Sequence, residues 1–73
     1  MEDVVIFAAR LRELRESRRI SRRVASELCG FDAGAFRRYE RGEREPSARA
    51  LCAIAEEFGV SMDYLWGREE NNF

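Results

Sequence analysis

Seventy-three residues suffice for one small domain. A chain of this size buries only about 60% of the surface it exposes when unfolded, so a second domain or a deep reaction cavity is not expected. The composition, 45% apolar and 37% charged with a net charge of −1, is that of a globular chain rather than a disordered one or a polycation.

Several function classes fall away at once. The largest apolar block, Val4 to Ala9, is too short to span a bilayer, so no membrane partner is expected. The start, Met1-Glu2-Asp3, lacks the basic residues and long apolar stretch of a secretion signal. The chain reads as a cytoplasmic protein, complete or as an isolated domain. It has no histidine, which excludes Ser–His and Cys–His nucleophile systems. Cys29 and Cys52 cannot supply a four-ligand zinc site and lack a CxxC spacing, so no metal and no cofactor are expected. Both cysteines read as small buried hydrophobes, and a cytosolic setting argues against a disulfide between them. The neighbouring carboxylates Glu56-Glu57 and Glu69-Glu70 read as solvated faces, because adjacent helical residues point apart. No enzyme and no small-molecule substrate are expected.

Taken in order, the elements are all helical. Val4, Phe7, Leu11 and Leu14 fall on one stripe and predict a helix over about 4–18, with Arg10, Arg12, Glu13 and Glu16 around its other side. Ser21 is placed to cap a second helix over about 22–29, and Gly30 ends it. Asp32 is placed to cap a third over about 33–41, closed by Gly42. Pro46-Ser47 opens a fourth over about 47–58, with Leu51, Ile54, Ala55 and Phe58 inward and Gly59 as the stop. Ser61 caps a fifth over about 62–66, carrying Leu65 and Trp66. No stretch alternates in the manner of a strand. Five short helices predict a compact all-α fold, a single domain over residues 1–73.

All thirteen basic residues are arginine, whose planar fork suits phosphates and guanine edges, although genome base composition selects arginine equally well. The charge is uneven along the chain. Residues 10–44 carry a net of +5, residues 1–9 carry −2 and residues 45–73 carry −4. A net acidic chain can bind DNA when its cations share one face.

The informative constellation lies between residues 21 and 41. Two short helices flank a tight turn at Gly30, and their close crossing needs a small residue on the inner face, which Ser26 provides. Ala25, Cys29, Phe31, Phe36 and Tyr39 supply the apolar contacts that lock the pair. That is the steric recipe of a helix-turn-helix, although a generic helical hairpin has the same requirements.

The run from Ile20 to Asp32, Ile-Ser-Arg-Arg-Val-Ala-Ser-Glu-Leu-Cys-Gly-Phe-Asp, resembles the family run Leu-Thr-Gln-Glu-Glu-Leu-Ala-Glu-Lys-Leu-Gly-Val-Ser without gaps. Tyr39-Glu40-Arg41-Gly42 followed by Pro46-Ser47 resembles Ile-Glu-Arg-Gly-x-x-x-Pro-Ser. Leu51, Ile54-Ala55, Phe58-Gly59-Val60-Ser61 and Leu65 resemble Leu-x-x-Ile-Ala-x-x-Leu-Gly-Val-Ser-x-x-x-Leu. By these motifs the chain is similar to the phage repressor/Cro-type (XRE) helix-turn-helix family over about residues 7–67, leaving 68–73 as a C-terminal tail.

The resemblance implies a five-helix, lambda-repressor-like DNA-binding domain. Its third helix would be the recognition helix, entering the major groove of a double-stranded operator. Asp32, Ala33 and Gly34 then fall at the groove-entering tip, and Arg37 and Arg38 on the next turn. Arg22 stands where the family holds a phosphate with glutamine. Arg23, Arg41 and Arg44 complete the implied DNA-binding set. Arg15 and Glu40 match a pair that bridges the first helix to the end of the third. A transcriptional regulator of repressor type is implied, acting as a homodimer, with Met62, Tyr64, Leu65, Trp66 and Phe73 as the pairing surface; for Leu65 and Trp66 a place in the core is the favoured reading.

Some positions depart from the family pattern. Ala33 and Gly34 bring no hydrogen-bonding side chain to the tip, so direct readout there is limited to apolar contact, such as Ala33 with a thymine methyl. The loop Gly42-Glu43-Arg44-Glu45 has two acids where lysines are usual. These features predict weak, salt-sensitive binding carried by few arginines. They also suit an alternative, a protein-binding or antitoxin-like module on the same scaffold.

Overall fold

The computed structural model describes residues 2–68. In chain order it has α1 (Glu2–Ser17), α2 (Arg22–Leu28), α3 (Ala35–Glu40), α4 (Ala48–Phe58) and α5 (Met62–Leu65). The fold is all-α. Among the described residues no helix is long and apolar enough to cross a membrane.

Two helices start as Ser21 and Ser61 predict, and α4 starts one residue later than expected, with Ser47 as its cap. The hydroxyls of Ser21, Ser47 and Ser61 accept hydrogen bonds from the backbone N–H groups of Val24, Ala50 and Tyr64 at 3.0, 3.1 and 2.9 Å, replacing partners that a first turn lacks. The end of α2 is equally regular. Phe31 N–H donates to Ser26 C=O at 2.9 Å and Gly30 N–H to Glu27 C=O at 3.0 Å, with Gly30 at φ 79. This doubly bonded exit needs a left-handed residue, which glycine supplies without strain. The same closure ends α1, where Ile20 N–H reaches Arg15 C=O at 3.4 Å and Arg19 N–H reaches Glu16 C=O at 3.0 Å. There the left-handed residue is Arg19, at φ 58.

The third helix departs from expectation. It begins at Ala35, two residues later than predicted, and Asp32 does not cap it. Asp32, Ala33 and Gly34 form a turn instead, closed by Ala35 N–H to Asp32 C=O at 3.0 Å. The Asp32 carboxylate is drawn away by Arg38 and Arg44, so the orphan donors of the first turn need another acceptor. Ser26 supplies it from across the corner. Its fully buried hydroxyl accepts from Phe36 N–H at 2.9 Å and donates to Arg22 C=O at 2.8 Å.

The core collects Phe7 and Leu11 from α1, Ala25 from α2, Ala35, Phe36 and Tyr39 from α3, Ile54 and Phe58 from α4, and Leu65 from α5. Aromatic rings run through it in series. Trp66 lies 5.8 Å from Phe7, Phe7 5.6 Å from Tyr39, Tyr39 6.0 Å from Phe31, Phe31 6.4 Å from Phe36 and Phe36 6.1 Å from Phe58. Such offset and edge-on contacts add to the burial of the rings themselves.

One of the two cysteines differs from expectation. Both are free thiols; Cys29 is half-buried and Cys52 is exposed. Cys52 lies two residues from buried Ile54, which puts it on the opposite face of α4. Burial pushes the Cys29 thiol up to about 11, with the Glu57 carboxylate adding to the shift.

Candidate nucleic-acid interface

The corner at Gly30 sets α3 against α2, and the Ser26 hydroxyl fixes the spacing. This leaves one side of α3 in the core, through Ala35, Phe36 and Tyr39, and the other in solvent, through Arg37 and Arg38. Arg37 makes no ion pair among the described residues. Arg38 donates from Nη1 to Asp32 Oδ2 at 3.1 Å, and Arg44 donates from Nη1 to Asp32 Oδ1 at 3.3 Å. The Arg44 hydrogen bond, with both guanidinium charges behind it, holds the Asp32 carboxyl below the usual carboxylate range, and the carboxylate raises Arg44 in turn. The Arg44 guanidinium also lies 5.8 Å from the centre of the Tyr39 ring.

The opposite end of α3 is built differently. Glu40 is half-buried as a residue, but its side chain is only 3% exposed. Arg15 grips it with two bonds, Nε to Oε2 at 2.6 Å and Nη2 to Oε1 at 3.1 Å. Arg22 adds a third, Nε to Oε1 at 3.1 Å. Arg15 also donates from Nη1 to Ile20 C=O at 3.0 Å, tying the α1–α2 corner to the same point. The hydrogen bond to Glu40 raises the Arg15 pKa. Glu40 therefore joins α1, α2 and α3.

Of the other sequence-predicted contact residues, Arg22, Arg23, Ala33 and Arg41 are exposed and Gly34 is half-buried. Arg23 pairs with Glu27 at 3.3 Å and Arg41 with Glu43 at 3.1 Å, both on the surface. One of the two loop acids is thus matched by a neighbouring cation. Gly34, Arg37, Arg38, Arg41 and Glu43 line a cleft of about 140 Å³ on the outward side of α3. A larger open groove of about 510 Å³ runs between the outer face of α1 and the end of α3, floored by Val4, Val5, Ala8 and Ala9. Two exposed arginines that the sequence reading did not single out, Arg19 and Arg49, make no ion pair among the described residues. Only the local charge excess pointed to Arg19. Of the expected pairing surface, Leu65 is buried in the core, Trp66 packs on Phe7, and Met62 is exposed. Tyr64 is half-buried beneath the Arg10 guanidinium, which stands 4.3 Å from the ring centre. Phe73 and Glu69-Glu70 lie outside the described residues.

The profile of the family described as "Helix-turn-helix domain" matches residues 6–65. This chain belongs to that family, in its phage repressor form. Among relatives, it is 38% identical over 61 residues to the HTH-type transcriptional regulator AnsR of Bacillus subtilis (strain 168), covering 84% of this chain and 53% of that protein. It is 31% identical over 61 residues to the HTH-type transcriptional regulator ImmR of the same organism, covering 84% and 48%. The chain thus spans about half the length of these relatives. Among solved structures, the P22 c2 repressor in complex with synthetic operator 9T superposes with a TM-score of 0.81 at 26% identity, over 88% of this chain and 97% of that one. The restriction-modification controller protein C.AhdI of Aeromonas hydrophila superposes with a TM-score of 0.79 at 31% identity, over 89% and 98%. The helix-turn-helix of this family member is α2 and α3, hinged at Gly30.

Proposed function

We propose that this chain is a sequence-specific DNA-binding transcriptional regulator, a repressor that lays α3 in the major groove of an operator. The observation that carries this reading is the outward arginine face of α3, on a helix fixed at one end by Ser26 and at the other by Glu40. A rigid element that presents a planar fork of donors suits base-edge recognition. The relatives named as transcriptional regulators and the repressor solved on its operator support the same assignment.

In this reading Arg37 and Arg38 enter the groove, and Ala33 meets a thymine methyl. Arg22, Arg23 and Arg41 face the backbone, and Arg44 stands with Asp32 beside the tip. Arg22 keeps Glu40 on one edge, and its half-exposed guanidinium offers the other to a phosphate. The protein acts by binding, without catalysis. It works as a homodimer, so that two copies of α3 reach half-sites about 34 Å apart. With Leu65 buried and Trp66 packed on Phe7, we take the pairing surface to be the outer side of α5, around Met62 and Tyr64.

Selection of bound sites from random DNA, followed by titration at several salt concentrations, tests the reading. A two-fold symmetric site is expected. Arg37→Ala combined with Arg38→Ala should abolish base preference, whereas Arg22→Ala should weaken binding to all sequences alike and flatten the salt slope by about one unit. A chain that enriches no sequence, or whose double variant selects the wild-type site, overturns it.

A further inference from the structure

We infer that Asp32 is a positioning residue for specificity, holding the Arg38 fork at the tip of the recognition element to read a guanine; this rests on the DNA-binding reading above. Three observations converge on it. The Asp32 carboxylate takes one guanidinium on each oxygen, Arg38 at 3.1 Å and Arg44 at 3.3 Å, across sequence separations of 6 and 12. Gly34 makes room for this. Its backbone, at φ −94 and ψ 4, is open to any residue, so glycine is not needed there for conformation. A Cβ at Gly34 would instead lie 3.3 Å from Arg38 Nη1 and 3.7 Å from its Cζ. The guanidinium has folded back over the glycine, and the tip that looks bare in the sequence carries a donor fork.

The third observation is the sign of the charge. A carboxylate at the centre of a phosphate-gripping cluster would be repelled by the backbone. It is tolerated where the cluster faces base edges, which offer donors as well as acceptors. Bidentate pairing with guanine O6 and N7 needs a planar fork in one orientation, and a fork already held loses less freedom on binding. Arg38 uses Nη1 on Asp32 and keeps its remaining donors for the base. Arg44, on the other oxygen, keeps Asp32 from swinging. Arg37, which no acid among the described residues holds, contributes charge without orientation.

The test is discrimination, not affinity. Wild type and variants are titrated against the selected site and against the same site with each G·C pair replaced in turn. Asp32→Asn removes a negative charge and should bind random DNA at least as tightly as wild type. Its discrimination at one G·C pair per half-site should fall by about tenfold to a hundredfold. Arg38→Lys keeps the charge, loses the fork and should lose the same discrimination, whereas Arg37→Lys should retain it. If Asp32→Asn tightens every sequence alike with discrimination intact, Asp32 is only an opposing charge and the inference falls while the regulator reading stands. If wild type itself selects no sequence, both fall together.

Discussion

The two ends of α3 use the same chemistry in opposite surroundings. At each, one carboxylate is held by two arginines: Asp32 by Arg38 and Arg44, Glu40 by Arg15 and Arg22. The Asp32 side chain is 58% exposed and the Glu40 side chain 3% exposed. Water screens the first cluster, so it orients groups on the surface without bearing the fold. The second is sealed, and removing one partner strands a buried charge. Burial, rather than the number of ion pairs, separates a device that aims side chains from one that joins helices.

Four measurements test that contrast. The largest effect is expected at the sealed end, where Glu40→Ala should lower stability in urea by about 3 kcal/mol by taking from the largely buried Arg15 guanidinium the carboxylate it grips with two bonds. Loss of under 1 kcal/mol there would remove the distinction between the ends. Ser26→Ala comes next. It strips the acceptor from Phe36 N–H inside the corner and should cost about 2 kcal/mol, read as a drop in Tm. Arg19→Gly should act in the other direction. Its left-handed backbone strains any side chain, so relief should add about 1 kcal/mol to stability, measured in the same melts. The smallest effect concerns Asp32. Its lowered pKa means that its ion pairs are fully present above the ordinary carboxylate value of about 3.9 and are lost only as pH falls through the lower folded value. An NMR titration should find the Asp32 carboxyl below that range in wild type and returning towards it in Arg44→Ala.

The sequence made the scaffold legible where one residue decides one local event. Ser21, Ser47 and Ser61 capped, Gly30 turned, and the stripe through Phe7 and Leu11 faced inward, because caps and periodicity depend only on near neighbours. The start of α3 was misplaced because Asp32 has two possible uses, and the winning partners lie far along the chain. Ser26 is the small spacer that its position implies, but its hydroxyl also replaces the missing cap, and spacing alone cannot reveal that bond. Gly34 looked like an empty tip because a folded-back arginine leaves no trace in composition. Cys52 was a different kind of miss. Its outward position follows from the helical period of α4, which overrides the general tendency of cysteine towards the interior.

The Glu40 junction has a further consequence. Because one sealed carboxylate links three helices, α3 has no private way to loosen; opening it means parting α1 and α2 as well. In the proposed reading, a duplex gripping α3 would tighten the whole body at once, and its occupancy should be felt as far away as the aromatic series that ends at Trp66.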